Sequence, residues 1–263
     1  MSRFPQTTFR DNLKVRHDFR LVNIDTDAIS IAKSDMSPFT AQERLDYLKE
    51  LNSQYPELIE FTDDGYFDTV IVIASKNYVM FKPNEEDPKK RLKIKGASLK
   101  ATNKEVYLKE FINQVINILL DPNYYQDQII DLYNKTAREC LDLKDMSRHS
   151  KKKTITESVL KGEGTAELRT RLALKGVNYQ QGDKFKFFYL ENENMSLDTN
   201  FTEDYCKKTL LEKLYKTMKI FNAIVPITLF KNYALQVNYY PLIGQEKPKR
   251  AGKKKVLVES NNI

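Results

Sequence analysis

Apolar and polar positions along this chain change period near residue 100. In DFRLVNIDTDAISIAK, residues 18–33, apolar positions alternate or run together on both sides of Asp25-Thr26-Asp27. Period two is strand spacing, so this stretch predicts a β-hairpin with the aspartates at or near its turn. Thr40 and Glu43 form a capping box ahead of RLDYLKELNSQY, a predicted helix closed by Pro56. LIEFT, an Asp63-Asp64-Gly65 turn and YFDTVIVIASKNYVMFK predict further antiparallel strands. NEEDPKK is a charged connection, and RLKIKGA reads as one more short strand.

Beyond residue 100 the period lengthens to that of helices. Thr102 and Glu105 read as a second capping box, opening a helix through VYLKEFINQVINILL. A second helix follows Asp121-Pro122, through YQDQIIDLYNKTARECLDL. SRHSKKK reads as a basic connector, TAELRTRLALKG as a short helix stopped by Gly176, and Asp183 to Leu190 as a strand. Residues 203–223 predict an amphipathic helix with Leu210, Leu211, Leu214 and Met218 on its apolar side. The fold class expected is α+β: an antiparallel half-sheet with helices, then a mainly helical subdomain.

Composition narrows the partners. The 263 residues carry a formal net charge of +7, which suits a polyanionic partner. Cys140 and Cys206 make neither a disulfide framework nor a metal-binding spacing, as expected in a reducing compartment. His17 and His149 are isolated. No apolar run reaches membrane-spanning length and the N-terminus lacks a signal-peptide core, so a soluble, cytoplasmic protein is expected.

Chemistry concentrates in Asp25-Thr26-Asp27. A hard cation such as Mg2+ takes oxygen ligands, usually one or two carboxylates completed by water and phosphate. Residues two apart in an extended chain share a face, so both carboxylates could line one cavity if that conformation persists through the turn. Two metals about 3.5–4 Å apart could then activate a hydroxyl and stabilise a leaving phosphate oxygen. A solvated, aspartate-rich turn explains the same residues without chemistry.

The flanking residues point further. NIDTDAI, then Lys76-Asn77-Tyr78, then Lys93-Ile94-Lys95-Gly96 resemble, in order, the YxDTDS, KxY and KxKG motifs of the palm of family B DNA polymerases. Lys151-Lys152-Lys153-Thr-Ile-Thr, followed by TAELRTRLALKGVNYQQGDKFKFFYL, resembles the thumb segment after KxKG. Asp204-Tyr205 resembles the opening of the last thumb helix. The likeness covers residues 18 to about 244. It implies an N-terminal extension over 1–17, a partial palm over 18–100, a thumb over 101–244 and a basic, disordered tail over 245–263. It further implies Asp27 as a direct Mg2+ ligand, Asp25 as a more accessory carboxylate, and deoxynucleoside triphosphates as substrates.

Some family features differ or are missing. The tyrosine before DTD is Asn23 here, and the serine after it is Ala28. A DxxSLYP motif with its metal aspartate and a KxxxNSxYG fingers helix are not found, and no exonuclease fits upstream of residue 18. The implied arrangement is a C-terminal subunit or fragment of a split polymerase, of the kind phages and archaea encode. A partner chain would supply the fingers, the rest of the palm and the exonuclease. The other reading is a non-catalytic accessory protein or polymerase relic that binds primer-template DNA.

For gripping DNA, the expected residues are Lys76 and Tyr78 on one strand face, Lys93 and Lys95 on another, with Gly96 admitting a close backbone approach. Lys151, Lys152, Lys153, Arg169 and Arg171 would add phosphate contacts without reading sequence. ALQVNYYPLIG, residues 234–244, sits where related enzymes carry a sliding-clamp peptide, but matches it poorly.

Overall fold

The computed structural model describes residues 18–25, 28–100 and 104–235. The N-terminal extension, the basic tail and nearly all of the clamp-like segment lie outside the described residues, as do Asp27 and Thr102. Architecture is α+β, with every strand pairing antiparallel.

The first hairpin forms as expected. Strand β1 (Phe19–Ile24) pairs with β2 (Ile29–Lys33), and the Asp25 amide donates to the Ala28 carbonyl at 2.8 Å. The chain therefore reverses between Asp25 and Ala28. Helix α1 (Ala41–Ser53) starts at the predicted capping box, with the Thr40 hydroxyl accepting from the Glu43 amide. LIEFT is not a strand. The Asn52 side chain takes both the Phe61 amide and the Phe61 carbonyl, at 2.7 and 2.9 Å, so neither group is left for a ladder.

Strands β3 (Thr69–Ala74), β4 (Asn77–Phe81) and β5 (Leu92–Lys95) form a sheet with β4 in the centre. A short helix, α2 (Pro88–Arg91), leads into β5, and another, α3 (Ala97–Lys100), leaves it. One sheet face holds Ile71, Val79 and Ile94, which pack into the main core with Ile73 and Leu99.

Helices α4 (Val106–Leu120) and α5 (Gln126–Leu141) supply most of that core, through Phe111, Ile112, Val115, Ile129 and Tyr133. The second capping box does not form as predicted. Glu105 is itself the N-cap, with no side-chain cap bond, because its buried carboxylate pairs with Lys213.

The presumed basic connector ends in a strand, β6 (Lys151–Thr154). It pairs with β7 (Lys184–Tyr189), which pairs in turn with β8 (Met195–Leu197). Two helices, α6 (Glu157–Lys161) and α7 (Thr165–Ala173), close this sheet around its own small core of Ile155, Val159, Leu174, Phe187 and Leu197. The second half is thus less purely helical than expected. The last helix, α8 (Lys207–Met218), starts four residues late. Tyr205 bridges to Leu190 instead, and its hydroxyl lies 3.0 and 2.9 Å from the carbonyls of Cys140 and Leu141 at the end of α5. Both cysteines are buried, and burial pushes the Cys140 thiol up to about 12. No helix among the described residues is long and apolar enough to cross a membrane.

Candidate functional site

Three stretches singled out in the sequence meet beside the central sheet. Tyr78 is the second residue of β4, and strand register places it opposite Val72 on one side and Lys95 on the other. Directly opposed residues share a face, so Tyr78, Met80, Lys93 and Lys95 all project from the side away from Val79 and Ile94. The Tyr78 ring is buried, and its hydroxyl lies 3.4 Å from Asp25 Oδ2. At that length the bond is weak. It nonetheless fixes the hairpin tip against the sheet across 53 residues of sequence.

Lys76 does not share this face. It occupies the β3–β4 turn with φ +58°, a left-handed conformation that a strand residue does not adopt. It is exposed. The two-residue Ser75-Lys76 turn between paired Ala74 and Asn77 explains this, since tight hairpin loops call for positive φ.

Gly96 locks that turn to β5. Its φ is +103°, and a Cβ there would lie 2.5 Å from the Lys76 carbonyl oxygen and 2.3 Å from Asn77 Oδ1. Glycine is therefore required on two grounds, and the close approach expected of it is to the Lys76 turn of this same chain.

The lysines on β5 differ. Lys93 Nζ is 2.9 Å from Asp64 Oδ2, just before the Gly65 turn, and that bond holds the Asp64 carboxyl below its ordinary range. Lys95 is half-buried and adds to the positive potential at Asp64.

In β6, Lys151 and Lys152 are exposed, whereas Lys153 turns onto α7. Its ammonium is 2.7 Å from Thr170 Oγ1 and 3.7 Å from Glu167. Arg169 pairs with Glu193 at 2.9 Å, and Arg171 donates to the Lys161 carbonyl at 3.2 Å. Much of the expected basic set thus also ties local structure together.

Two further lysines escaped the sequence reading. Lys152 stands directly opposite Lys186, and Lys184 opposite Thr154, on one face of the β6–β7 pair. Like charges directly opposed are destabilising unless an anion sits between them. The alternation Lys184-Phe185-Lys186-Phe187 carried the signal. It was unusable while Lys151–Lys153 was read as a connector with no strand partner.

Asp25 is half-buried at the hairpin tip. As a carboxylate on a rigid turn it suits a hard cation. Among the described residues, no group of three or more His, Cys, Asp or Glu comes together to hold a metal. Among the described residues Asp25 is therefore no more than one carboxylate of such a site, and Asp27 lies outside them.

No protein-family model matches this chain, and no curated protein matches it. Its fold is similar to part of the family B DNA polymerase from the hyperthermophilic archaeon Pyrobaculum calidifontis. The TM-score is 0.61 at 14% identity, over 84% of this chain and 29% of that one. The chain thus spans less than a third of that polymerase's length. The likeness is one of fold.

Proposed function

We propose that this chain is the C-terminal subunit or fragment of a DNA-directed DNA polymerase. It contributes the carboxylates of the Asp25-Thr26-Asp27 hairpin and a grip on primer-template DNA. The observation that carries this reading is the convergence of the sequence motifs. Tyr78 of Lys-x-Tyr touches Asp25 of the aspartate hairpin, and Gly96 of Lys-x-Lys-Gly packs against Lys76. Chance matches scattered along a sequence have no reason to meet in space.

In this reading Asp27 and Asp25 hold Mg2+ together with a carboxylate from a partner chain, which also brings the fingers, the rest of the palm and the exonuclease. Bound there, the ion would neutralise charge developing on the transferring phosphoryl group. Tyr78 holds the Asp25 carboxylate in place, and Lys95, Lys151, Lys152 and Lys186 fix the duplex by its phosphates. The protein's share of phosphoryl transfer is mostly such positioning.

Primer extension tests it. The isolated chain should extend nothing with Mg2+ and deoxynucleoside triphosphates. A chain carrying the missing aspartate motif and fingers should restore synthesis. Asp27→Asn should then remove nearly all activity and leave DNA binding intact, with Asp25→Asn harmful to a lesser degree. Synthesis by the isolated chain would refute the shared site. Full activity of Asp27→Asn would refute the metal assignment.

A second reading, a non-catalytic DNA-binding accessory protein, is favoured by Asn23 and Ala28 in place of the family's tyrosine and serine. It predicts primer-template binding that no partner converts into synthesis.

A further inference from the structure

The turn Asp63-Asp64-Gly65 ties helix α1 to the β3–β5 sheet. Asp63 Oδ2 is 2.9 Å from the Arg44 guanidinium on α1, and Asp63 Oδ1 accepts from the Gly65 amide at 2.8 Å. Asp64 reaches the other way, to Lys93 on β5 at 2.9 Å. The next two rings repeat the pattern. Arg44 lies 5.7 Å from the Tyr66 ring centre, while Lys82 and Lys93 lie 4.8 and 5.7 Å from that of Phe67. Lys82 Nζ is also 4.0 Å from where a Cβ on Gly65 would stand. Lys95 adds its charge at Asp64. Three ammonium groups thus gather about one turn. Among the described residues, Asp64 is the only carboxylate paired with any of them. Lys93 and Lys95 project from the sheet face that carries Tyr78, the side chain that meets Asp25.

The two ends of the turn are held unequally. Arg44 and Asp63 are each about one-third exposed, whereas the Asp64 side chain is 82% exposed. An exposed pair of that kind favours the closed state by no more than about fivefold. Rotation of the Asp64 side chain is enough to free Lys93 while Asp63 keeps the turn on α1. A phosphodiester offers Lys93 the same kind of acceptor, an anionic oxygen. It also brings a gain that a lone carboxylate cannot match, because each ammonium delivered to a duplex releases condensed counterions.

We infer that Asp64 is an internal substitute for a DNA phosphate. It holds the Lys93 ammonium ready on the Tyr78 face of the free chain, and a backbone phosphate displaces it when duplex binds. The inference rests on the DNA-gripping reading above and adds to it a built-in competitor, set by this chain's own turn.

Fluorescence anisotropy of a labelled primer-template duplex across a salt series tests it, with full chains carrying Asp64→Asn, Lys93→Ala or both. Asp64→Asn should bind about two- to fivefold tighter than wild type, and the gain should vanish when Lys93 is absent. Lys93→Ala alone should lower the slope of log binding constant against log salt by about 0.9. Equal tightening with and without Lys93 would reduce the effect to net charge and overturn the inference. Unchanged or weaker binding by Asp64→Asn would overturn it too, since Asp64 would then only orient Lys93. A wild-type slope that Lys93→Ala leaves unaltered overturns the inference and leaves the DNA-gripping reading standing, whereas a wild-type chain that binds no duplex removes both.

Discussion

The Tyr78 hydroxyl donates to Asp25 Oδ2 at 3.4 Å, across 53 residues of sequence. The side chain that holds the aspartate hairpin in place thus belongs to the central strand of a different sheet. Its opposite neighbour, Lys95, ends β5, and Gly96 follows directly.

Tyr78→Phe keeps the buried ring and removes this long hydrogen bond. Stability should fall by less than about 1 kcal/mol. In the partner-complemented enzyme, single-turnover primer extension should drop well before equilibrium DNA binding does, because the loss is one of alignment. Equal losses in both measurements would argue that Tyr78 acts only through DNA affinity.

Gly96→Ala should cost about 2–3 kcal/mol in urea unfolding. A left-handed backbone at an alanine is strained, and its Cβ collides with the Lys76 carbonyl and Asn77. Because the collision displaces the Lys76 turn, extension should suffer beyond what the stability loss explains. A midpoint shift within error of wild type would refute the close approach.

Lys152→Ala and Lys186→Ala should each reduce the slope of log binding constant against log salt by about 0.9, the value of one phosphate contact. Relief of the opposed like charges should leave the fold of the Lys152 variant no less stable, whereas Lys186 also donates to the Ser147 carbonyl at 3.3 Å and lies 3.9 Å from Asp198. Lys153→Ala should show the reverse, lowering stability through the lost Thr170 bond and leaving the salt slope nearly unchanged. Fluorescence anisotropy and chemical denaturation on the same samples separate the two outcomes.

His149 gives a pH dependence. The ring stacks on Tyr107 at 4.4 Å, and both of its nitrogens are buried without a hydrogen-bond partner. Burial, aided by the Arg148 charge, pushes the imidazole down to about 4 from 6.5. The folded value lies below the unfolded one, so the unfolded chain takes up the proton first as pH falls. Stability from this group should hold above about pH 6.5, decline between there and about pH 4, and level off below, a loss of about 3 kcal/mol. His149→Phe keeps the stack and should flatten that decline. Identical pH profiles for the two proteins would count against it.

Local signals told most of the fold in advance. The hairpin at residues 18–33, the capping box at Thr40 and the helix through VYLKEFINQVINILL are each specified by neighbouring residues, and each forms. Where partners lie far away in sequence, the reading failed. Lys151–Thr154 has no apolar alternation and becomes a strand only because β7 pairs with it. LIEFT has strand composition but loses its backbone groups to Asn52. Residues 203–206 look helical, yet Tyr205 is drawn to Leu190 and the end of α5. At the candidate site, residue types were legible but not their directions. Lys76 points from a turn, while Lys93, Lys153, Arg169 and Arg171 already hold partners within the chain.

The main hydrophobic core has a mechanical consequence. Ile73, Val79 and Leu99 from the β3–β5 sheet interlock with α4, α5 and α8, whereas the β6–β8 sheet has a small core of its own and reaches the main one through Phe188. The seam between these two cores thus falls near residue 150 rather than near 100. Thermal fluctuation should open the β6–β8 lobe before the main core, as a partially opened state. The sheet beneath Asp25 should melt only when the helices do. Slow amide exchange at Val79 and Ile112 would share one opening free energy, larger than that of Phe187.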